Sequence, residues 1–332
     1  MTTTGERARS HDGASAEFES LAGVAARLQR SVESVIVGKT EVVRSTLMVL
    51  LAGGHLLLED VPGVGKTMLS KTLARSISGT VRRIQFTPDL LPSDVTGVSI
   101  FNQDTRTFEF RPGGVFGNIV VGDEINRASP KTQSALLECM EERQVTVDNE
   151  TYHLDDPFMV VATQNPIEME GTYPLPEAQR DRFMARVSIG YPAMQAEVAM
   201  LQGHGGRDPL ADLSPVTDAA EVSRLIALVR DVFVSPAVER YAVEIATATR
   251  RSPHLRLGAS PRATLHLVRA AKAAAALDQR QYVVPDDLQQ LAVPVLAHRL
   301  LLAPEAVMQG LRADDVVSSV LAGVRLPESG NS

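Results

Sequence analysis

Short apolar runs that end in polar or Gly-rich turns recur through the first half of the chain, separated by segments with helical spacing. Leu56-Leu57-Leu58, 83–86, Asn118-Ile119-Val120-Val121-Gly122, 159–163 and 186–190 read as strands. Residues 17–35 read as a leading helix and 68–77 as another. Residues 130–142 form a third, with Ser129 as its cap and Pro130 at its first position. Alternation of this kind predicts an α/β fold, a five-stranded parallel sheet covered on both faces.

Two stretches break the rhythm. Val98-Ser99-Ile100-Phe101 and Thr107-Phe108-Glu109-Phe110 alternate around the turn-prone 102–106, which predicts a β-hairpin insertion near 97–115. A second hairpin is predicted near 144–155, from Val145-Thr146-Val147 through Asp148-Asn149 to Tyr152-His153-Leu154. Beyond Pro192 the breaker-rich 193–213 reads as a linker. Helical segments follow at 218–232, 236–251, 261–277, 285–300 and 314–324, so 214–326 is predicted to be a small all-α domain. Ser235-Pro236 and Ser260-Pro261 each supply a cap and a first-turn proline, and Pro294 is expected to break or kink its helix. The α/β domain is placed at 17–192. Residues 1–16 lack an apolar signal core and are expected to be a disordered tail, with a short tail at 327–332.

Composition narrows the function classes. With 332 residues and 44% hydrophobic content, the chain can bury two cores. Lys+Arg 33 minus Asp+Glu 40 gives −7, which lends no support to nucleic-acid binding through net charge. Cys139 is the sole cysteine, so an intrachain disulfide or a Cys-based zinc site is excluded and a packing role is expected. The seven histidines are dispersed without metal-ligand spacing. The longest apolar stretch, 47–58, is interrupted by Gly53-Gly54-His55 and is too short to span a membrane, so a cytoplasmic protein is expected.

The chemistry concentrates at three strand ends. Asp60-Val61-Pro62-Gly63-Val64-Gly65-Lys66-Thr67-Met68 joins a strand to a helix and has the form of a phosphate-binding loop. Gly63 and Gly65 let backbone N–H groups face phosphates at a helix N-terminus. Lys66 would reach the β- and γ-phosphates, and Thr67 would ligate Mg²⁺. One departure is visible, because Asp60 stands where the pattern has its first glycine. The second apolar strand runs into Asp123-Glu124. Asp123 suits the magnesium shell and Glu124 suits activation of water. The third ends in Thr163-Gln164-Asn165-Pro166, where the Asn165 amide could position that water. Taken singly, each has a plainer reading: a Gly/Pro turn with a surface lysine, an acidic turn, a turn-forming Asn. Their order and spacing favour the functional one.

These motifs resemble those of the AAA+ ATPases and, more narrowly, of the MoxR family. The resemblance rests on Gln85-Phe86-Thr87-Pro88-Asp89-Leu90-Leu91-Pro92-Ser93-Asp94, Asp123-Glu124-Ile125-Asn126-Arg127-Ala128 and Gly171-Thr172-Tyr173-Pro174-Leu175-Pro176-Glu177-Ala178. It also covers Gln179-Arg180-Asp181-Arg182-Phe183 and extends from about 17 to 326. It implies a P-loop core with an all-α lid, ATP and Mg²⁺ as cofactors, and assembly as a homo-oligomeric, hexameric ring. By the same resemblance Val37 and Gly38 would contact adenine. Arg262 would contact the γ-phosphate from the lid. Arg182, with Arg180 beside it, would act as an arginine finger from the neighbouring subunit, Arg127 would face that interface, and Gln85 would relay substrate state to Glu124. The implied role is chaperone-like remodelling of a protein client, including cofactor or metal insertion, with a von Willebrand factor A domain protein in trans. A metal-chelatase ATPase subunit, a nucleotide-dependent binding switch and a nucleic-acid motor are the alternatives.

Overall fold

The sheet order is β2-β5-β8-β1-β9, with every neighbouring pair parallel. Its strands are β1 (Leu56–Glu59), β2 (Val81–Gln85), β5 (Ile119–Asp123), β8 (Met159–Gln164) and β9 (Ala185–Val187). β1, β5 and β8 are almost wholly buried, as expected of parallel strands covered on both faces. The computed structural model describes residues 4–61, 63–165, 172–192, 194, 197–198 and 210–327. These fall into two compact units, one of 28–46 and 53–223, the other of 1–27, 47–52 and 224–332.

In the first unit, Leu57, Phe86, Val120, Leu136, Val160 and Phe183 belong to one buried cluster. α3 (Lys66–Ser76) and α5 (Pro130–Glu142) flank the sheet in sequence, and Ser129 Oγ accepts from Thr132 N at the start of α5. His55 ties strand to helix inside this core. Val160 N–H donates to its Nδ1 (3.0 Å), and Nε2 lies 3.0 Å from the Met140 carbonyl. That pairing requires a neutral ring with the proton on Nε2.

The two hairpins form as the alternation predicted: β3 (Gly97–Asn102) with β4 (Thr107–Pro112), and β6 (Gln144–Val147) with β7 (Glu150–His153). Asp148 and Asn149 both have positive φ (50° and 67°), the backbone of a two-residue primed turn. Gly97 is required at its position. Its φ is +99°, and a Cβ there would lie 2.5 Å from the Arg111 carbonyl oxygen.

The second unit is mainly helical: α7 (Ala219–Arg230, which begins just before it), α8 (Pro236–Arg251), α9 (Pro261–Leu277), α10 (Pro285–Leu296) and α12 (Ala313–Gly323). Ser235 and Ser260 cap their helices through Val238 N and Ala263 N. Ala263, Ala270, Ala271, Ala273, Ala275 and Ala276 are buried along α9, so this unit packs on small side chains.

Several boundaries depart from the sequence reading. α1 (Thr4–Glu33) begins at Thr4, so the described part of the tail expected over 1–16, residues 4–16, is helical; extending a formed helix avoids the nucleation cost. The helix expected over 285–300 ends at Leu296, two residues after Pro294, and continues as a 3₁₀ turn, Ala297–Arg299. The predicted all-α unit also holds a two-stranded antiparallel sheet, β10 (Leu255–Leu257) with β11 (Leu301–Leu302), and a short helix α11 (Pro304–Met308). Strand β9 stops at Val187, because Ser188 and Gly190 turn to donate to Asp60. Of the expected linker, only 194, 197–198 and 210–213 are described.

Candidate active site

Register brings the candidate residues into one row at the carboxyl edge of the sheet. Gln85 pairs with Asp123 across β2 and β5, and Glu59 with Gln164 across β1 and β8. Ligands of open parallel sheets bind beyond this edge. Gly63 (φ +83°) and Gly65 (φ +91°) occupy the left-handed region, with open space where a Cβ would stand. Gly65 caps α3 without a side-chain bond, leaving that helix N-terminus facing the loop. Pro62, also a candidate, lies outside the described residues; Val64 and Met68 complete the loop and first turn.

Asp60 accounts for the departure from the glycine pattern. Its carboxylate accepts from Val61 N (2.8 Å), Ser188 Oγ (2.9 Å) and Gly190 N (2.5 Å), fastening the start of the loop to the segment after β9. Burial pushes its pKa up, but these donors outweigh burial and hold the carboxyl below its ordinary value. Lys66 Nζ donates to the Asp60 carbonyl (2.7 Å), so the same residue also steadies the loop lysine.

Thr67 Oγ1 donates to Asp123 Oδ2 (3.2 Å), and Thr163 Oγ1 lies 3.4 Å from Asp123 Oδ1. Asp123 is buried, with 5% of its surface exposed. A hydroxyl and a carboxylate converging on a polar strand end fit the hard oxygen shell of Mg²⁺. Glu124 follows in the left-handed region (φ 57°, ψ 49°), a conformation costing about 1 kcal/mol for a non-glycine residue. Its N–H donates to Thr163 Oγ1 (2.9 Å). Its Oε2 accepts from Gln85 Nε2 (2.9 Å) and lies 3.4 Å from Arg127 Nε. Asn165 is buried at the end of β8.

The expectations and the geometry meet unevenly. Thr67, Asp123, Glu124 and Gln85 are joined by hydrogen bonds through Thr163, while Lys66 bonds the Asp60 carbonyl. Arg127, expected at a subunit interface, is drawn to Glu124 of its own chain by their opposite charges. Arg83 was not anticipated, yet its Nε lies 2.7 Å from Asp123 Oδ2 and its Nη2 donates to Gln85 Oε1 (3.0 Å). Its position on β2, two residues before Gln85, was the available signal. Lys39 was missed as well: Nζ donates to the carbonyls of Ile189 (2.5 Å) and Tyr191 (2.8 Å), holding the Val37-Gly38 turn against the segment after β9.

Residues 55–185 match the ATPase family associated with various cellular activities (AAA), and residues 247–320 match the AAA lid domain. Protein YeaC of Bacillus subtilis is 52% identical over 296 residues, 89% of this chain and 92% of that one. Chaperone MoxR1 of Mycobacterium tuberculosis is 41% identical over 330 residues, 96% of this chain and 87% of that one.

The chain belongs to the MoxR family of AAA+ ATPases.

A crystal structure of a candidate ATPase from Cytophaga hutchinsonii superposes with a TM-score of 0.88 at 37% identity, covering 97% of this chain and 99% of that one. The parallel sheet with its loop is therefore a MoxR-type AAA+ core, and the helical unit is the AAA lid.

The two MoxR-type finger candidates of the core pair outside that bonded network. Arg182 Nε pairs with Glu141 Oε2 on α5 (2.9 Å). Arg180, ending the short helix α6 (Glu177–Arg180), has Nη2 3.8 Å from Glu177 Oε1, and its buried Nε has no hydrogen-bond partner among the described residues. Arg262 is half-buried in the first turn of lid helix α9. A cation at a helix N-terminus is unfavourable unless an anion lies close by.

Proposed function

We propose that this chain is a Mg²⁺-dependent ATPase that uses hydrolysis to remodel or mature partner proteins. The observation carrying this reading is the convergence of Thr67, Asp123 and Glu124 beside a glycine loop that opens a helix. Backbone N–H groups of 63–67 and the Lys66 ammonium bind the phosphates. Thr67 and Asp123 would hold Mg²⁺, which would offset charge on the β- and γ-phosphate oxygens. Glu124 polarises the attacking water and accepts its proton, while the Asn165 amide orients it in line with the γ-phosphate. Val37 and Gly38 contact adenine. Arg262 reads the γ-phosphate from the lid, and Arg182 or Arg180 completes a neighbouring subunit's site in a hexameric ring.

The likeness to chaperone MoxR1 supports chaperone-like work on a protein client; the reading adds a cytoplasmic setting, a von Willebrand factor A domain protein in trans, and cofactor or metal insertion as one outcome. One observation favours slow basal turnover. Gln85 and Arg127 both engage the Glu124 carboxylate, which must leave these partners before it can take up a water. A nucleotide-dependent switch that hydrolyses slowly until a partner releases Glu124 is therefore the second reading. Titration of a fluorescent ATP analogue into wild type and Lys66→Ala tests the assignment: binding should be lost in the variant, and unchanged affinity would refute the phosphate-loop role.

A further inference from the structure

The two hairpins turn matching faces towards one another. In an antiparallel pair, residues directly opposite share a face, and so do their second neighbours. Ser99 with Phe110 and Phe101 with Phe108 therefore lie on one face of β3–β4. Val145 with Tyr152 and Val147 with Glu150 lie on one face of β6–β7. These faces meet where Phe110 stacks on Tyr152, with centroids 3.8 Å apart and planes at 14°.

Beside this stack a cavity of about 400 Å³ opens between the hairpins. Phe108 and Phe110 wall one side, with Ser99 as the small residue that leaves room, and Tyr152 and Val147 wall the other. Asp148 and Glu150 add two carboxylates, and no described lining residue is a cation. Glu150 is held by Tyr152 Oη (2.7 Å), which keeps a carboxylate oriented beside the aromatic wall. Phe108 is 73% exposed and Phe101 49%, the two rings meeting edge to face at 5.3 Å. The aromatic surface thus continues from the cavity onto the open hairpin. Packing among the described residues does not explain two exposed phenylalanines side by side.

We propose that this cleft binds an arginine-bearing segment of a client polypeptide. A guanidinium stacks on aromatic faces and pairs with carboxylates through its planar fork, the two features this cleft combines. The volume admits one long side chain with its flanking backbone. The exposed Phe101–Phe108 surface lies where an apolar residue next to that arginine would rest, which points to a polypeptide and not a free cation. The client rests on the remodelling reading, whereas the peptide test reads the cleft without ATP hydrolysis, so the two can fail separately.

Fluorescence anisotropy tests it with a short fluorescein-labelled peptide containing Phe-Arg-Phe and its Arg→Gln and Arg→Glu counterparts, on the full chain. The arginine peptide should bind at least about tenfold more tightly than either counterpart. Asp148→Asn with Glu150→Gln, and separately Phe108→Ser, should remove that preference at unchanged thermal midpoint and unchanged basal ATPase rate. Equal affinity for the three peptides, absence of binding, or full preference in both variants would overturn the proposal. Displacement of the peptide by free arginine amide at the peptide's own half-saturating concentration would overturn the polypeptide assignment.

Discussion

Arg83 and Asp123 form an ion pair between neighbouring strands, with Nε 2.7 Å from Oδ2, on the carboxylate that fits a magnesium shell. Asp123 is 7% exposed at its side chain and Arg83 53%, so the acid is fixed while the arginine can leave. A divalent cation bound at Asp123 would compete with the guanidinium for the same oxygen.

Arg83→Gln should therefore lower the Mg²⁺ concentration giving half-maximal ATPase activity. A half-exposed pair is worth about 1 kcal/mol after solvent screening, or about fivefold in apparent affinity. A Mg²⁺ titration checks this; a rise would mean that Arg83 orients Asp123 instead of competing.

Acidification should weaken the core through His55. Burial, with the nearby Arg143 charge, outweighs the Met140 carbonyl bond and lowers its pKa from 6.5 to about 4. Between those values the unfolded chain binds the proton and the folded one does not. The stabilisation is complete above pH 6.5 and is lost as pH falls towards 4, about 3 kcal/mol in all. Urea midpoints at about pH 7 and about pH 5 should differ more in wild type than in His55→Gln.

Cys139 should be inert in the folded protein. It is buried in α5, and burial beside Glu138 pushes its thiol up to about 12. An aromatic disulfide reagent near neutral pH should titrate no thiol until denaturant is added. Prompt native-state reaction would show that α5 opens locally.

The sheet, both hairpins and the glycine loop that opens α3 were legible because each rests on a local pattern. Leu56-Leu57-Leu58 and 158–162 are unbroken apolar runs, and Ser235-Pro236 and Ser260-Pro261 mark helix starts within the residues themselves. What escaped depends on pairings distant in sequence. Arg83 reads as one of two consecutive basic residues in a strand until its side chain is found reaching Asp123, forty positions on. Lys39 reaches carbonyls 150 and 152 positions away. Asp60 looks like a defect in the loop until Ser188 and Gly190 are found bonded to it. Strands β10 and β11 span three and two residues, too few to show a period.

The two candidate finger arginines should separate on substitution. Arg182→Ala should retain ATP affinity and lose at least about a hundredfold in turnover, since such arginines contribute heavily to phosphoryl transfer. Arg180→Ala should lose less. Inactivation by Arg180→Ala alone would reverse the assignment, making the Arg182–Glu141 pair structural.

Steady-state ATP hydrolysis per subunit, measured against protein concentration for wild type and Glu124→Gln, tests the central claim most directly. Specific activity should rise with concentration as subunits complete one another's sites, and the rise should vanish in Glu124→Gln. Equal rates in wild type and variant would contradict the assignment of Glu124 as the water-activating base.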